Sequence, residues 1–159
     1  MFLIAENDLM KGADMTPKSG FYLDPVLERD TIFVTDLRLS SILLMDDCRY
    51  PWLIIVPRVG GAEEIFDLGR GDQSLLMDEI AMVAEAVHKV TNPAKVNVGA
   101  LGNIVRQLHI HVIARFETDA TWPGPVWGVG ETTPYEDRGA AFLSLLNSEI
   151  GLSKPKPRL

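Results

Sequence analysis

Three short runs rich in β-branched and aromatic residues stand before one long amphipathic stretch, and two more follow it. This order restricts the fold more than any other feature of the chain. Thr31-Ile32-Phe33-Val34-Thr35 and Ser41-Ile42-Leu43-Leu44-Met45 are strand-like runs with only Asp36 to Ser40 between them. Asp46-Asp47-Cys48-Arg49-Tyr50-Pro51 reads as a turn, and Trp52-Leu53-Ile54-Ile55-Val56 as a third strand closed by Pro57. Connections this short make neighbouring strands antiparallel, so the three form a meander.

The helix runs from about Asp72, its expected N-cap, to Val90. Leu76, Ile80, Val83, Val87 and Val90 recur at spacings of three and four, and Thr91-Asn92-Pro93 ends the pattern. His88 falls in the last turn off this stripe, a solvated position favourable to the helix dipole. Two further strands are expected at Lys95 to Ala100 and Val105 to about Ala114. A short first helix is expected from Asp24-Pro25, with Val26 and Leu27 on its apolar side. A last helix spans roughly Asp137 to Ile150, with Phe142, Leu145, Leu146 and Ile150 on one side. The order βββαββ with flanking helices defines an α+β domain, one sheet with helices packed on it.

Composition bounds the function. A chain of 159 residues with 47% hydrophobic residues can bury one sizeable core. Fifteen Lys and Arg against 22 Asp and Glu leave a net charge of −7, which disfavours nucleic-acid backbones without excluding a small anionic ligand. The one cysteine, Cys48, excludes an internal disulfide framework and a cysteine-rich zinc site; it reads as a buried or half-buried thiol compatible with a reducing cytoplasm. Met1-Phe2-Leu3-Ile4-Ala5 has no basic flank and runs into Glu6 and Asp8, unlike a secretory signal. No apolar stretch approaches the ~20 residues of a membrane helix. A soluble protein without membrane or nucleic-acid partners is expected.

Chemistry concentrates in Gln107-Leu108-His109-Ile110-His111-Val112-Ile113. On a strand, period two puts Gln107, His109 and His111 on one face and Leu108, Ile110 and Val112 in the core. Two imidazoles and a carboxamide are costly to bury without partners, so this face is expected to be open or to line a cleft. Three readings compete: a polar solvent-facing strand, a metal site, and phosphate chemistry by a histidine nucleophile. A closed zinc site needs four ligands, so the metal reading requires Asp or Glu to complete the set. Neutral imidazole is a good nucleophile near neutral pH, and a hydrogen bond at one ring nitrogen selects the other for attack. Asn103, after Gly102, is either a ligand or a residue serving a left-handed turn. Arg58 reads as a solvated charge, Arg115 shares the parity of the histidine face, and Trp122 and Trp127 read as packing residues able to cover the site or a dimer partner.

These segments resemble the histidine triad (HIT) family. Gln107-Leu108-His109-Ile110-His111-Val112 is similar to its His-φ-His-φ-His signature. Asn97-Val98-Gly99 and Gly102-Asn103 are similar to its Gly-rich approach, Ile55-Val56-Pro57-Arg58 to its mid-domain strand end, and Trp122-Pro123 to a pair found after the signature. The likeness is greatest to a bacterial subgroup with Gln-φ-His-φ-His in place of the full triad, and covers roughly residues 22–150. It implies a HIT-like α+β fold: a five-stranded antiparallel sheet with one long helix plus short N- and C-terminal helices, paired across a two-fold axis as a homodimer. Residues 1–20 then form a loose arm, 21–150 the domain and 151–159 a flexible tail.

The resemblance also implies a nucleotide hydrolase or nucleotidyl transferase acting at the α-phosphate of a small nucleotide, such as a dinucleoside polyphosphate or nucleoside phosphoramidate. His109 matches the nucleophile, His111 the residue that contacts phosphate and helps the leaving group, and Asn97 a phosphate-contacting Asn. Asp46 or Asp47 matches a ribose contact. No metal or cofactor is implied. Gln107 replaces the first histidine, and Trp52 stands where many members carry another; the two changes read as linked. Gln107 or Asn97 would then donate to phosphate oxygens. The alternative is a nucleotide-binding or sensing protein with turnover lost.

Overall fold

A computed structural model describes residues 20–150 of the chain; the expected arm before them and the tail after them lie outside the described residues. The elements in order are α1 (Pro25–Asp30), β1 (Thr31–Asp36), β2 (Ser40–Met45), β3 (Trp52–Pro57), α2 (Arg70–Thr91), β4 (Lys95–Gly99), β5 (Ile110–Arg115) and α3 (Ala140–Ile150). A single turn of 3₁₀ helix at Ile65–Asp67 precedes α2. The sheet order is β1-β2-β3-β5-β4, with every pairing antiparallel. The expected α+β architecture and five-stranded antiparallel sheet are both present.

Local chemistry accounts for the boundaries. Asp24 caps α1 by accepting from the Val26 N–H, with Pro25 in the first helical position. α2 begins earlier than expected: Gly69, in extended conformation, is its N-cap, and Asp72 lies in the first turn. There its charge complements the helix dipole instead of capping the end. Asn92 ends α2 in the left-handed region, its N–H bonded to the His88 carbonyl. His88 is exposed, as expected.

β5 is shorter than the sequence implies. Val105 to His109 lie outside the ladder because their groups bond elsewhere: the Leu108 N–H reaches the Ala62 carbonyl, and Gln107 reaches the start of α1. α3 starts at Ala140, after Asp137 has accepted from the N–H groups of Gly139 and Ala141. Leu146 is its fully buried residue, while Leu145, expected inside, is 57% exposed and Leu143 packs inward with Phe142 and Ile150.

Both faces of the sheet are covered by apolar residues. On one, Leu44, Leu53, Ile55, Ile110 and Val112 pack against Leu76, Ile80, Val83 and Val87 of α2 and Leu146 of α3. On the other, Leu43, Trp52, Ile54, Val56 and Ile113 pack against Leu27 of α1, Val105 and Val126. Strands buried on two faces read as unbroken apolar runs, which is how β2 and β3 read.

Two sequence expectations for single residues change. Arg58 is buried; its guanidinium donates to the carbonyls of Leu37 and Arg38 and lies 4.0 Å from Asp36. Nearby, the buried Glu79 of α2 accepts from the Leu39 N–H, and its burial raises the carboxyl pKa. The hairpin between β1 and β2 is thus tied to the end of β3 by Arg58 and to α2 by Glu79. Cys48 is exposed, not buried. Among the described residues no helix is long and apolar enough to cross a membrane.

Candidate active site

His109 directly precedes β5 and His111 is its second residue, on the face shared with Ile113 and Trp52. Each is only 6% exposed. Of the two expected arrangements, an open face or the lining of a cleft, the second is found: both histidines line a cavity, and the cost of burying the two imidazoles is met by defined partners. The His109 Nδ1 lies 2.7 Å from the Gln107 carbonyl oxygen. A carbonyl only accepts, so Nδ1 carries the proton and Nε2 of the neutral ring holds the free lone pair. No hydrogen-bond partner for Nε2 is found among the described residues.

His111 has the opposite arrangement. The Trp52 indole Nε1–H donates to its Nδ1 at 3.0 Å, which places the imidazole proton on Nε2. Burial, helped by the neighbouring His109, lowers the His111 pKa to about 3. His111 is therefore neutral at physiological pH, a fixed Nε2–H donor. The two rings meet edge to face with centroids 4.8 Å apart.

Trp52 and Trp127 wall the pair. Trp127 lies 5.7 Å from the His111 ring centroid and 6.4 Å from that of Trp52. A Cβ on Gly99 would stand 3.2 Å from the Trp127 ring, so glycine there admits the indole. Arg115, fully buried, fastens the connection that carries Trp127. Its guanidinium donates to Asp119, Asn97, Thr121 and the Gly124 carbonyl, and lies over Trp122. Trp127 thus covers the histidines, while Trp122 packs on Arg115.

Two cavities meet at His109. The larger, about 580 Å³, is mainly apolar, walled by Val26 and Leu27 of α1, Met45, Trp52 and Trp127, with Arg29, Asp30 and Thr31 supplying polar groups. The smaller, about 290 Å³, is more polar and is lined by Glu63, Glu64, Arg106 and Gln107. Leu101, Gly102, Asn103 and His109 line both. Gly102 has φ +69° and is itself the left-handed residue of this turn; Asn103 is free to face the cavities. The N–H groups of Gly102, Asn103 and Ile104 meet no acceptor among the described residues. Successive free N–H groups beside a lone-pair nitrogen suit an anion with an electrophilic centre.

Other sequence candidates are engaged elsewhere. The Gln107 side chain accepts from the Asp24 N–H at 2.9 Å and donates to the Tyr22 carbonyl at 2.8 Å, holding the entry to α1. It makes no bond to Trp52, whose indole serves His111. The Asn97 carboxamide oxygen accepts from Arg115. Asp46 accepts from the Tyr135 N–H, while Asp47 takes Arg49 and the Thr133 N–H, so both fasten the chain leading to α3. Asn97, Asp46 and Asp47 line neither cavity. The carboxylate beside the larger cavity is Asp30, in a bidentate pair with Arg29. Sequence reasoning missed Asp30, Glu63 and Glu64; only the position of Asp30 directly before the first strand gave a signal. Among the described residues no group of three or more His, Cys, Asp or Glu side chains is placed to hold a metal ion.

An antiparallel α+β sheet carrying a buried histidine pair at the mouth of two cavities defines a class of small domain that similarity then specifies. Residues 26–118 match the HIT domain family. A histidine triad protein from Sinorhizobium meliloti 1021 is 48% identical, with a TM-score of 0.79 over 81% of this chain and 96% of that one. Histidine triad proteins from Bradyrhizobium japonicum and Marinobacter aquaeolei VT8 are 44% and 40% identical, each with a TM-score of 0.80. They cover 82% and 83% of this chain and 98% and 97% of theirs. No curated protein matches. The chain belongs to the HIT family, whose fold supports nucleotide binding and nucleotide hydrolase or transferase activity.

Proposed function

We propose that the protein is a nucleotide hydrolase or nucleotidyl transferase that acts at an α-phosphate through a covalent nucleotidyl-His109. The observation that carries this reading is the His109 ring itself: Nδ1 held by the Gln107 carbonyl, and Nε2 without a partner among the described residues, at the junction of two cavities. The nucleoside occupies the larger, apolar cavity, whose volume suits a small ligand. The Nε2 lone pair forms an N–P bond while the bond from phosphorus to the leaving atom breaks. That atom keeps the electron pair and takes a proton from water. A second water, or an acceptor hydroxyl, then attacks phosphorus; the N–P bond breaks, its electrons return to Nε2, and the nucleotide leaves.

His111 contributes a neutral Nε2–H donor to the phosphoryl oxygens, beside the free N–H groups of the Gly102–Asn103 turn. Gln107 is a positioning residue in this scheme, with Asn103 at the phosphate. Asn97, Asp46 and Asp47 support the walls. The scheme needs no metal or cofactor. The working unit is the domain at 21–150, a homodimer through the exposed edge of β4. An exposed free thiol at Cys48 suits a reducing cytoplasm.

A second reading, nucleotide binding or sensing without turnover, is favoured by one observation: His111 is held neutral, so it brings no readily available proton to the leaving group. Release of AMP from an adenosine 5′-phosphoramidate separates the two. Multiple turnovers support the enzyme; tight AMP binding by thermal shift with no release supports the sensor.

A further inference from the structure

The two cavities differ in charge as well as size. Arg29 and Asp30 balance in the larger one. The smaller is lined by two carboxylates, Glu63 and Glu64, against one guanidinium, Arg106, one negative charge in excess. Arg106 is tied to Glu63 at 2.9 and 2.6 Å. A third carboxylate stands behind them: Asp67 accepts from the N–H groups of both Glu63 and Glu64, fixing that turn at the cavity rim. His109, more than nine-tenths buried and with Nε2 unpartnered among the described residues, lines this cavity too.

In-line displacement puts the leaving atom opposite the attacking nitrogen. With the nucleoside in the apolar cavity, the remaining substituent on phosphorus must cross the Gly102–Asn103 turn, which borders both cavities, into the polar one. Resting on the function proposed above, we infer that the smaller cavity is a leaving-group subsite in which Glu63 and Glu64 select cationic amine leaving groups over neutral amines and polyphosphates. A polyphosphate leaving group would bring several negative charges to a negative wall of a chain whose net charge is −7. An amine bearing a second, distal ammonium would meet Glu64, the carboxylate that Arg106 does not neutralise. The bond broken is P–N: its electron pair stays on the departing nitrogen, which takes a proton from water, while the N–P bond to His109 forms.

The test compares kcat/KM for three probes: adenosine 5′-phosphoramidates of propylamine and of 1,3-diaminopropane, and a diadenosine polyphosphate. Solvent-screened charge pairs of this kind contribute modestly, so the diamine probe should exceed the propylamine probe by about 5-fold, with the polyphosphate slowest. Glu63→Gln/Glu64→Gln, which leaves Arg106 as the charged side chain lining the cavity, should bring the amine ratio to about 1 or below. Independently of any variant, raising salt toward 1 M, where the screening length falls to about 3 Å, should collapse the wild-type ratio. Equal wild-type rates for the two amines, or a ratio unchanged in both the variant and high salt, would overturn the subsite while leaving the nucleotidyl mechanism standing. Failure to turn over any of the three probes would overturn both.

Discussion

At the scale of single residues, opposite tautomers give the two histidines different tasks. His111 is a base whose folded-state pKa is depressed, so the unfolded chain binds a proton that the native site refuses. Its contribution to stability is complete above the unfolded value of about 6.5 and is lost as pH falls toward about 3, with a slope of at most about 1.4 kcal/mol per pH unit. Urea melts between pH 7 and 4 should show this slope reduced in His111→Asn; an unchanged slope would place the protonation elsewhere. Gln107 behaves as a brace. Removing its two hydrogen bonds in Gln107→Ala should cost about 0.5–1.5 kcal/mol each, and lower kcat/KM by no more than about 10-fold through a loosened α1 entry. A Gln107→Ala enzyme as inactive as His109→Ala would mean that Gln107 takes part in the chemistry. Much of this scale was legible: the residues of the motif name both imidazoles. Their tautomers were not, because these depend on a carbonyl that leaves the ladder and on an indole from another strand.

Elements were the most readable level where periodicity carried them. The three-strand meander, α2 and the cap of α1 all follow from local spacing. The shortened β5 has a tertiary cause, hydrogen bonds that override the local pattern. Gln107, Leu108 and His109 continue the alternation of the strand, yet Ala62 and the α1 entry take their bonds. Glu79 is the same effect in a helix: a polar residue buried because the Leu39 N–H in the β1–β2 hairpin needs an acceptor. Glu79→Leu should destabilise the fold by about 1–3 kcal/mol, the cost of orphaning that donor, as read from urea melts. The raised carboxyl pKa has the reverse pH sign to His111: its contribution is fullest below the unfolded value and declines as pH rises through the folded one. Glu79→Gln keeps the acceptor and should flatten that decline; an unaltered pH profile would show that the carboxyl stays ionised.

For the whole molecule, the sheet ends on β4, whose outer edge has no partner within the described chain. Val98 on that strand and the nearby Leu101 and Ile104 are exposed. We expect a homodimer by light scattering at tens of micromolar; a monomer there would remove the β4 pairing from the account. The sequence placed the histidine pair and the fold but not the two cavities, because their walls come from α1, the turn before α2 and the Trp127 connection, far apart in the chain. That the histidine face lines a cleft, and that Trp127 is able to cover it, were both legible in the sequence. The central claim is a covalent nucleotide on His109, and the direct measurement is mass spectrometry of protein quenched in alkali during turnover of an adenosine 5′-phosphoramidate. The account requires an adenylyl group on the peptide containing His109 and no adduct or turnover in His109→Ala. Turnover by His109→Ala at the wild-type rate, or an adduct on any other residue, would contradict it.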